Sequence, residues 1–371
     1  MRAIAAAWIA NRPRAGITRA GEALIDTPAA SEIDTGAIDP DLIARFHEAL
    51  DVLWPHDERE GPLGLAVSGG PDSLAMLLIA SQALDDPDLI AVASIDHGLR
   101  PEAAGEVALV EAVCAELGIA FTPISVTLGR GNLQARAREA RYAALRDWAE
   151  AQDIGAIATA HHADDQAETL MMRLARGSGL PGLAGVRARS ELPESETPLL
   201  RPLLGFRKAE LEGALAAAGV APAHDPSNAD PAYDRVRVRE HLAAHDWLDA
   251  EALAESAGHL AEALNAIEWY ALLDWEEMVV LEDGEPADGP IYRYYANVPR
   301  VIQIETVCRI VEALGGRVTR SEAGRAADRL WAGENASLGG VLAVPEIEHV
   351  ERVGVEMRVW RFRPEPARRV H

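Results

Sequence analysis

Leu65-Ala66-Val67-Ser68-Gly69-Gly70-Pro71-Asp72-Ser73 is the stretch that decides the fold. An apolar strand runs into Ser-Gly-Gly-Pro-Asp-Ser, and an apolar helix follows through Leu74, Ala75, Leu77 and Leu78. A strand that ends in a Gly-rich turn and opens a helix is a phosphate cradle. Glycine lets the backbone approach the anion, and the first-turn N–H groups point at it with the helix dipole behind them. Ser68 and Ser73 add hydroxyl donors. Asp72 would repel a bare anion, and it makes chemical sense when Mg²⁺ lies between its carboxylate and the phosphates. The turn is not a Walker A loop, which needs Gly-Lys followed by Ser or Thr. The chain holds a single lysine, Lys208, so no such loop exists in it.

Outward from this turn, strands and helices alternate. Strands are predicted over Leu63–Val67, Leu89–Ile95, Phe121–Val126 and Ala156–Ala160. Helices are predicted from the cradle to about Leu84, over Pro101–Leu117, from Asn132 to Ala151, and over Asp164–Arg176. Strands separated by helices of this length make βαβ units and a parallel sheet with helices on both faces. Ligands of such sheets bind at the carboxyl ends of the strands. Three motifs sit there: Ser68–Ser73, Asp96-His97-Gly98-Leu99-Arg100, and His161-His162-Ala163-Asp164-Asp165. Their convergence predicts one active site.

The flanks read differently. Residues 1–60 are expected to form an N-terminal extension, loosely ordered except for a helix over Pro40–Leu53. Residues 61–225 form the expected nucleotide-binding domain. Within it, Gly177–Pro202 reads as loop and Arg207–Ala218 as a short helix. Residues 226–371 are expected to be mostly helical (Leu242–Leu273, Ile302–Leu314, Ser321–Trp331), ending in two or three antiparallel strands over Gly340–Phe362.

Composition narrows the class. The chain has 371 residues and 49% apolar content, enough for two cores. No apolar run approaches the roughly 20 residues of a membrane span. Cys114 and Cys308 are far apart, with no CxxC pair, which fits buried thiols in a reducing cytoplasm. The net charge of −24 argues against a nucleic-acid partner when taken alone, but the local field at a binding face decides.

Four segments carry further chemistry. Asp96 and His97 end the second strand, either facing a nucleotide or simply capping a turn. His161 to Thr169 packs six titratable or amide groups into one strand–helix junction. These could bind a metal, or polarise a nucleotide and hold Mg²⁺; acids at a helix start also suit the dipole. Arg136, Arg138 and Arg141 form either a solvated face or a phosphate-contacting stripe, with Arg138 and Arg141 at i, i+3. Arg235-Val236-Arg237-Val238-Arg239, if extended, projects three arginines from one side. With Arg201, Arg207 and Lys208 nearby in sequence, this is the best local basic patch.

Taken in order, these motifs resemble the tRNA(Ile)-lysidine synthase family of the PP-loop ATP-pyrophosphatase superfamily. The likeness runs through Ser68–Ser73, Asp96–Arg100, Asn132–Tyr142, Ala160–Thr169, Arg176–Gly179, Leu200–Leu203 and Asp225–Asn228, and covers about 63–240 strongly. It implies a Rossmann-like PP-loop domain followed by a helical tRNA-binding part. It implies a ligase that joins free L-lysine to C2 of the wobble cytidine of tRNA(Ile) with a CAU anticodon, through an adenylated base, releasing AMP and pyrophosphate. ATP and Mg²⁺ would be its cofactors. Ser68, Gly69, Gly70, Asp72, Ser73, Asp96 and His97 would hold the nucleotide, and Asp72 and Asp165 the metal. Asp72, His161 and Asp165 would serve catalysis, the last two as orienting and deprotonating groups. Arg136, Arg138, Arg141, Arg176, Arg201, Arg235, Arg237 and Arg239 would meet the tRNA. The chain departs from the family in two ways: Val236 stands where the family usually has Asn, and the first ~60 residues precede the family's usual start. A cytoplasmic enzyme without membrane contact is implied, and the oligomeric state stays open, a homodimer included.

Rival readings differ in their chemistry. PP-loop thiolation enzymes use cysteines, and both cysteines here fall outside every motif. Glutamine-dependent amide synthetases need a glutaminase part, which is not evident. A non-enzymatic nucleotide- or RNA-binding module would not need so many Asp and His residues at its strand ends.

Overall fold

The computed structural model describes residues 33–96, 103–126, 133–223, 234–282, 289–350 and 354–365. His97, Asn132 and the 225–228 motif lie outside them, as do residues 1–32.

The first sheet contains β1 (Leu63–Ala66), β2 (Ile90–Asp96), β3 (Ala120–Ser125), β4 (Ala156–Ala158), β5 (Arg189–Glu191) and β6 (Pro198–Leu200). Their order is β3-β2-β1-β4-β6-β5, parallel except for the β5–β6 pair. The chain steps outward from β1 to β3 and then crosses back to β4. Strand order therefore reverses between β1 and β4, which opens a crevice above their carboxyl ends.

Helices cover both faces. Helices α1 (Pro40–Leu53) and α2 (Pro71–Ala83) lie on one face with α3 (Ala103–Leu117), and α4 (Leu133–Ala151) lies on the other. Helix α2 is apolar nearly all round, and every residue from Ser73 to Ala80 is buried. A helix of this kind needs cover on the side away from the sheet. Leu42, Phe46 and Leu50 of α1, spaced i, i+4, i+8, supply it, and they share one core with Leu74, Leu77 and Leu78. The helix expected within the N-terminal extension thus packs into the nucleotide-binding domain. Tyr142, Leu145 and Trp148 of α4 pack on the opposite face with Ile157 and Leu199.

The domain continues through α5 (Ala163–Ala175), the single turn α6 (Leu180–Leu183) and α7 (Lys208–Ala217). The segment expected to be loop, 177–202, holds α6, β5 and β6. Beyond it come α8 (Asp234–Ala243) and α9 (Ala250–Met278), the latter 29 residues long. At 1.5 Å per residue α9 extends about 44 Å. Arg187 ties it to the first domain by bonding Asn265 and Glu268. The C-terminal part combines α10 (Arg300–Ala313) and α11 (Arg320–Trp331) with an antiparallel sheet of five strands, two of which fall in the tail expected to hold two or three. These are β7 (Val279–Glu282), β8 (Ile291–Tyr295), β9 (Ala336–Leu338), β10 (Val341–Val350) and β11 (Val355–Pro364), in the order β7-β8-β11-β10-β9. Tyr294 and Trp360 meet edge-to-face at 5.7 Å in its core. Among the described residues no helix is long and apolar enough to cross a membrane.

Because Phe46 is fully buried against α2, Phe46→Ala is expected to destabilise the protein by about 3–5 kcal/mol. Denaturant unfolding followed on the intact chain measures this. A change within experimental error would show that α1 is not part of the core.

Candidate active site

The cradle forms where β1 ends. Gly69 has φ +83°, in the left-handed region, and a Cβ there would lie 3.1 Å from the carbonyl oxygen of Glu106. Glycine alone fits. Gly70 caps α2 and Pro71 occupies its first turn. Ser73 Oγ accepts from the Ser68 amide at 3.1 Å and donates to the Gly70 carbonyl at 3.1 Å. The loop is therefore closed on itself before any ligand arrives, with Ser68 Oγ 3.2 Å from Ser73 Oγ.

Across the crevice, the chain leaves β4 through Thr159 and enters α5, and each residue of the His-His-Ala-Asp-Asp-Gln-Ala-Glu run has a separate task. His162 is 2% exposed and caps α5. Its Nδ1 accepts from the Asp165 amide at 3.4 Å, and Asp165 Oδ2 accepts from the His162 amide at 3.3 Å. Its Nε2 lies 3.6 Å from Asp72 Oδ2 and 3.7 Å from Asp165 Oδ2. Asp164 accepts from the Lys208 amide at 2.8 Å and from the Arg207 guanidinium, which fixes the start of α7. Gln166 is buried and exchanges two hydrogen bonds with the backbone of Val186, pinning the loop ahead of β5. Glu168 is 1% exposed and accepts from both Arg235 and Arg239.

The electrostatics separate the two histidines. Burial pushes His161 down to about 4, and nearby Arg201, Arg235 and Arg138 act the same way against Asp165. His161 is thus a neutral imidazole at physiological pH, its Nδ1 3.0 Å from Thr159 Oγ1. Burial also opposes charge on His162, but the carboxylates of Asp72, Asp165 and Asp164 around it outweigh this and raise its pKa. Protonation would turn Nδ1 from acceptor of the Asp165 amide into a donor toward Asp164 Oδ2, 3.7 Å away. Burial pushes the Asp72 carboxyl upward, and contact with His162 more than offsets this, so Asp72 stays below its usual range.

Asp72 Oδ1 is buried and has no hydrogen-bond partner among the described residues. A buried carboxylate oxygen left bare costs free energy unless something fills the gap. It suits Mg²⁺, which takes one or two carboxylates and otherwise substrate phosphates and water. No group of three or more His, Cys, Asp or Glu among the described residues could cage a metal ion, so the residues fit an ion shared with phosphate rather than a dedicated protein site.

The other expected site residues are dispersed. Asp96 ends β2 on the same edge of the sheet. Arg136, Arg138 and Arg141 are exposed near the start of α4, and Arg138 lies 4.9 Å over the Tyr142 ring. Arg201 is 5% exposed, donating to the Arg187 carbonyl and Ser190 Oγ. Arg176, at the far end of α5, bonds Asp234. The 235–239 segment is helical, not extended, so its three arginines do not share one side. Arg235 and Arg239, four apart, face α5, and Arg235 also bonds Asp165 at 2.7 Å. Arg237 bonds Asp234 instead, and Val236 is buried. Among the described residues from 201 to 239 the arginines turn to different partners rather than to one face. Two residues outside the sequence-derived set are central here: His162, which bridges to Asp72, and Glu168, which holds α8 in place.

A parallel sheet with a Ser-Gly-Gly-x-Asp-Ser cradle at its switch point, faced by an acid–histidine cluster, defines a PP-loop ATP-binding enzyme. A family model described as a PP-loop domain matches residues 42–245. The chain is 46% identical over 291 residues to a tRNA(Ile)-lysidine synthase of Novosphingobium aromaticivorans, covering 78% of this chain and 87% of that one. It is 43% identical over 229 residues to the tRNA(Ile)-lysidine synthase of Zymomonas mobilis (60% and 68% covered). It is 38% identical over 300 residues to that of Bradyrhizobium diazoefficiens (76% and 81% covered). The chain belongs to the tRNA(Ile)-lysidine synthase family, and it is a ligase that uses ATP.

Two outcomes follow from this geometry. Asp72→Asn is expected to reduce ATP–pyrophosphate exchange on the order of 10²–10³-fold, as for loss of a preorganised electrostatic partner, in a chain that still folds. Activity close to wild type would remove Asp72 from the chemistry. The second concerns pH. His162 is raised above its unfolded value, so its contribution is complete below about pH 6.5 and fades as pH rises through its folded pKa. Asp72 is lowered, so its contribution holds above about pH 3.9 and fades as pH falls through its folded pKa. The stability gap between wild type and His162→Gln is therefore expected to be larger at about pH 5.5 than at about pH 9. A gap independent of pH would contradict the pairing.

Proposed function

We propose that this chain joins free L-lysine to C2 of the wobble cytidine in tRNA(Ile) bearing a CAU anticodon. ATP binds with its phosphates on Ser68–Ser73. The C2 carbonyl oxygen attacks the α-phosphorus, the α–β phosphoanhydride bond breaks, and pyrophosphate leaves. C2 of a urea-like carbonyl is a poor electrophile, and adenylation turns its oxygen into a leaving group. The ε-amine of lysine then forms the C2–N bond, the C2–O bond breaks, and AMP departs with that oxygen.

An amine must lose its proton to attack. The Asp165 carboxylate suits that role, while His161, neutral at physiological pH, suits orientation of the base. Asp72 would hold Mg²⁺ brought in with the triphosphate, which would offset charge on the phosphates. The observation that carries this reading is the bare, buried Asp72 Oδ1 at the head of the cradle helix, set opposite the Asp165 cluster, in a chain of this family. The positions of the cysteines support ligation over thiolation: Cys114 is buried in α3 and Cys308 lies on α10.

ATP–pyrophosphate exchange, followed by incorporation of labelled lysine, tests the proposal with unmodified tRNA(Ile) and tRNA(Met) as control. Exchange and incorporation that require tRNA(Ile) are expected. Exchange without incorporation would mean a different nucleophile, and no exchange with either tRNA would mean a different adenylated substrate.

A further inference from the structure

Helix α8 has two working faces. Arg235 and Arg239 turn inward to Glu168. Arg237 and His241, and His245 in the turn beyond the helix, follow an i, i+4 spacing of their own, and all three are exposed. Residues so spaced line up along one side. The His245 Nδ1–H donates to the carbonyl of His241 at 2.7 Å, and the two rings lie 6.2 Å apart at 33°. Trp247 comes next, 75% exposed, with its ring edge-on to His245 at 6.4 Å. A guanidinium, two imidazoles and an indole thus form one open line.

The line is fixed beside the cleft. Asp249, two residues past Trp247, accepts from Arg207 at 3.2 Å. The same guanidinium holds Asp164, the neighbour of Asp165. These contacts put the line within reach of the nucleotides that flank one held in the cleft.

We infer that Arg237, His241, His245 and Trp247 form a stacking platform for unpaired RNA bases flanking the nucleotide in the cleft. The inference rests on the RNA-modifying reading above and adds where the strand is gripped. Aromatic faces and arginine planes hold splayed bases whatever their sequence. Stacking lets a chain of net charge −24 engage RNA with few phosphate contacts. Glu240 and Asp246 are exposed beside the line, and Asp234 already pairs Arg237. Stacking therefore leads the contact, and its salt dependence is shallow compared with phosphate-driven binding.

The test uses the full chain, an anticodon stem–loop RNA with a CAU loop, and a blunt RNA duplex of equal length. Fluorescence anisotropy gives affinity, and quenching of tryptophan emission reports stacking. Trp247→Ala is expected to weaken stem–loop binding about tenfold or more, to lose part of the quenching, and to leave duplex binding and ATP affinity unchanged. Trp247→Phe, which keeps an aromatic face, is expected to stay within about threefold of wild type. Wild-type stem–loop affinity in Trp247→Ala, or an equal loss for the duplex, overturns the platform while leaving the proposed reaction standing. A change in the sedimentation of Trp247→Ala with RNA affinity intact also overturns it, and assigns the line to contact between copies of the chain. Failure of the wild-type protein to bind the stem–loop overturns the platform and the RNA reading together.

Discussion

The site depends on a buried contact across the switch point of the sheet. Asp72 stands in the first turn of α2, just after β1, and His162 in the turn after β4. The two strands are neighbours, yet the chain between them visits β2, β3 and three helices. His162 Nε2 facing Asp72 Oδ2 joins the phosphate cradle to the acid–histidine cluster. It holds one Asp72 oxygen and leaves the other bare, aimed at neither histidine nor backbone. Breaking a buried, partnered charge is costly because the remaining group is stranded, so the two halves of the crevice keep a fixed relation.

Around this contact the molecule uses acids to place bases. Glu168 gathers Arg235 and Arg239, and Asp164 gathers Arg207. Both carboxylates sit on α5, with Arg235 and Arg239 on α8 and Arg207 just before α7. One helix therefore arranges α7 and α8 about the crevice. The arginines it recruits have their charge paired locally while their side chains stay 36–44% exposed.

Much of this was legible in the sequence. The limits of α1 were expected over Pro40–Leu53 and are found there, because its apolar spacing and the Asp39-Pro40 start are local features. What α1 packs on was not legible, since the apolar surround of α2 gives no direction. Arg235 to Arg239 read as a candidate strand because arginine and valine alternate. The helix forms instead because i, i+4 spacing brings two guanidiniums to one buried carboxylate, a tertiary reward invisible to local pattern. Strands β5 to β9 were missed because they are only three to five residues long. The His-His pair was visible as a motif, but adjacent residues at a strand end point opposite ways. Which one met Asp72 needed the fold.

In the proposed reaction the phosphate cradle serves to adenylate an RNA base before an amine displaces AMP. The most direct measurement uses ATP labelled in the α-phosphate, with tRNA(Ile) and no lysine. Label is expected to stay with the RNA through denaturing electrophoresis and to be released as AMP when lysine is added. Label that never joins the RNA, while lysine is still incorporated, would contradict it.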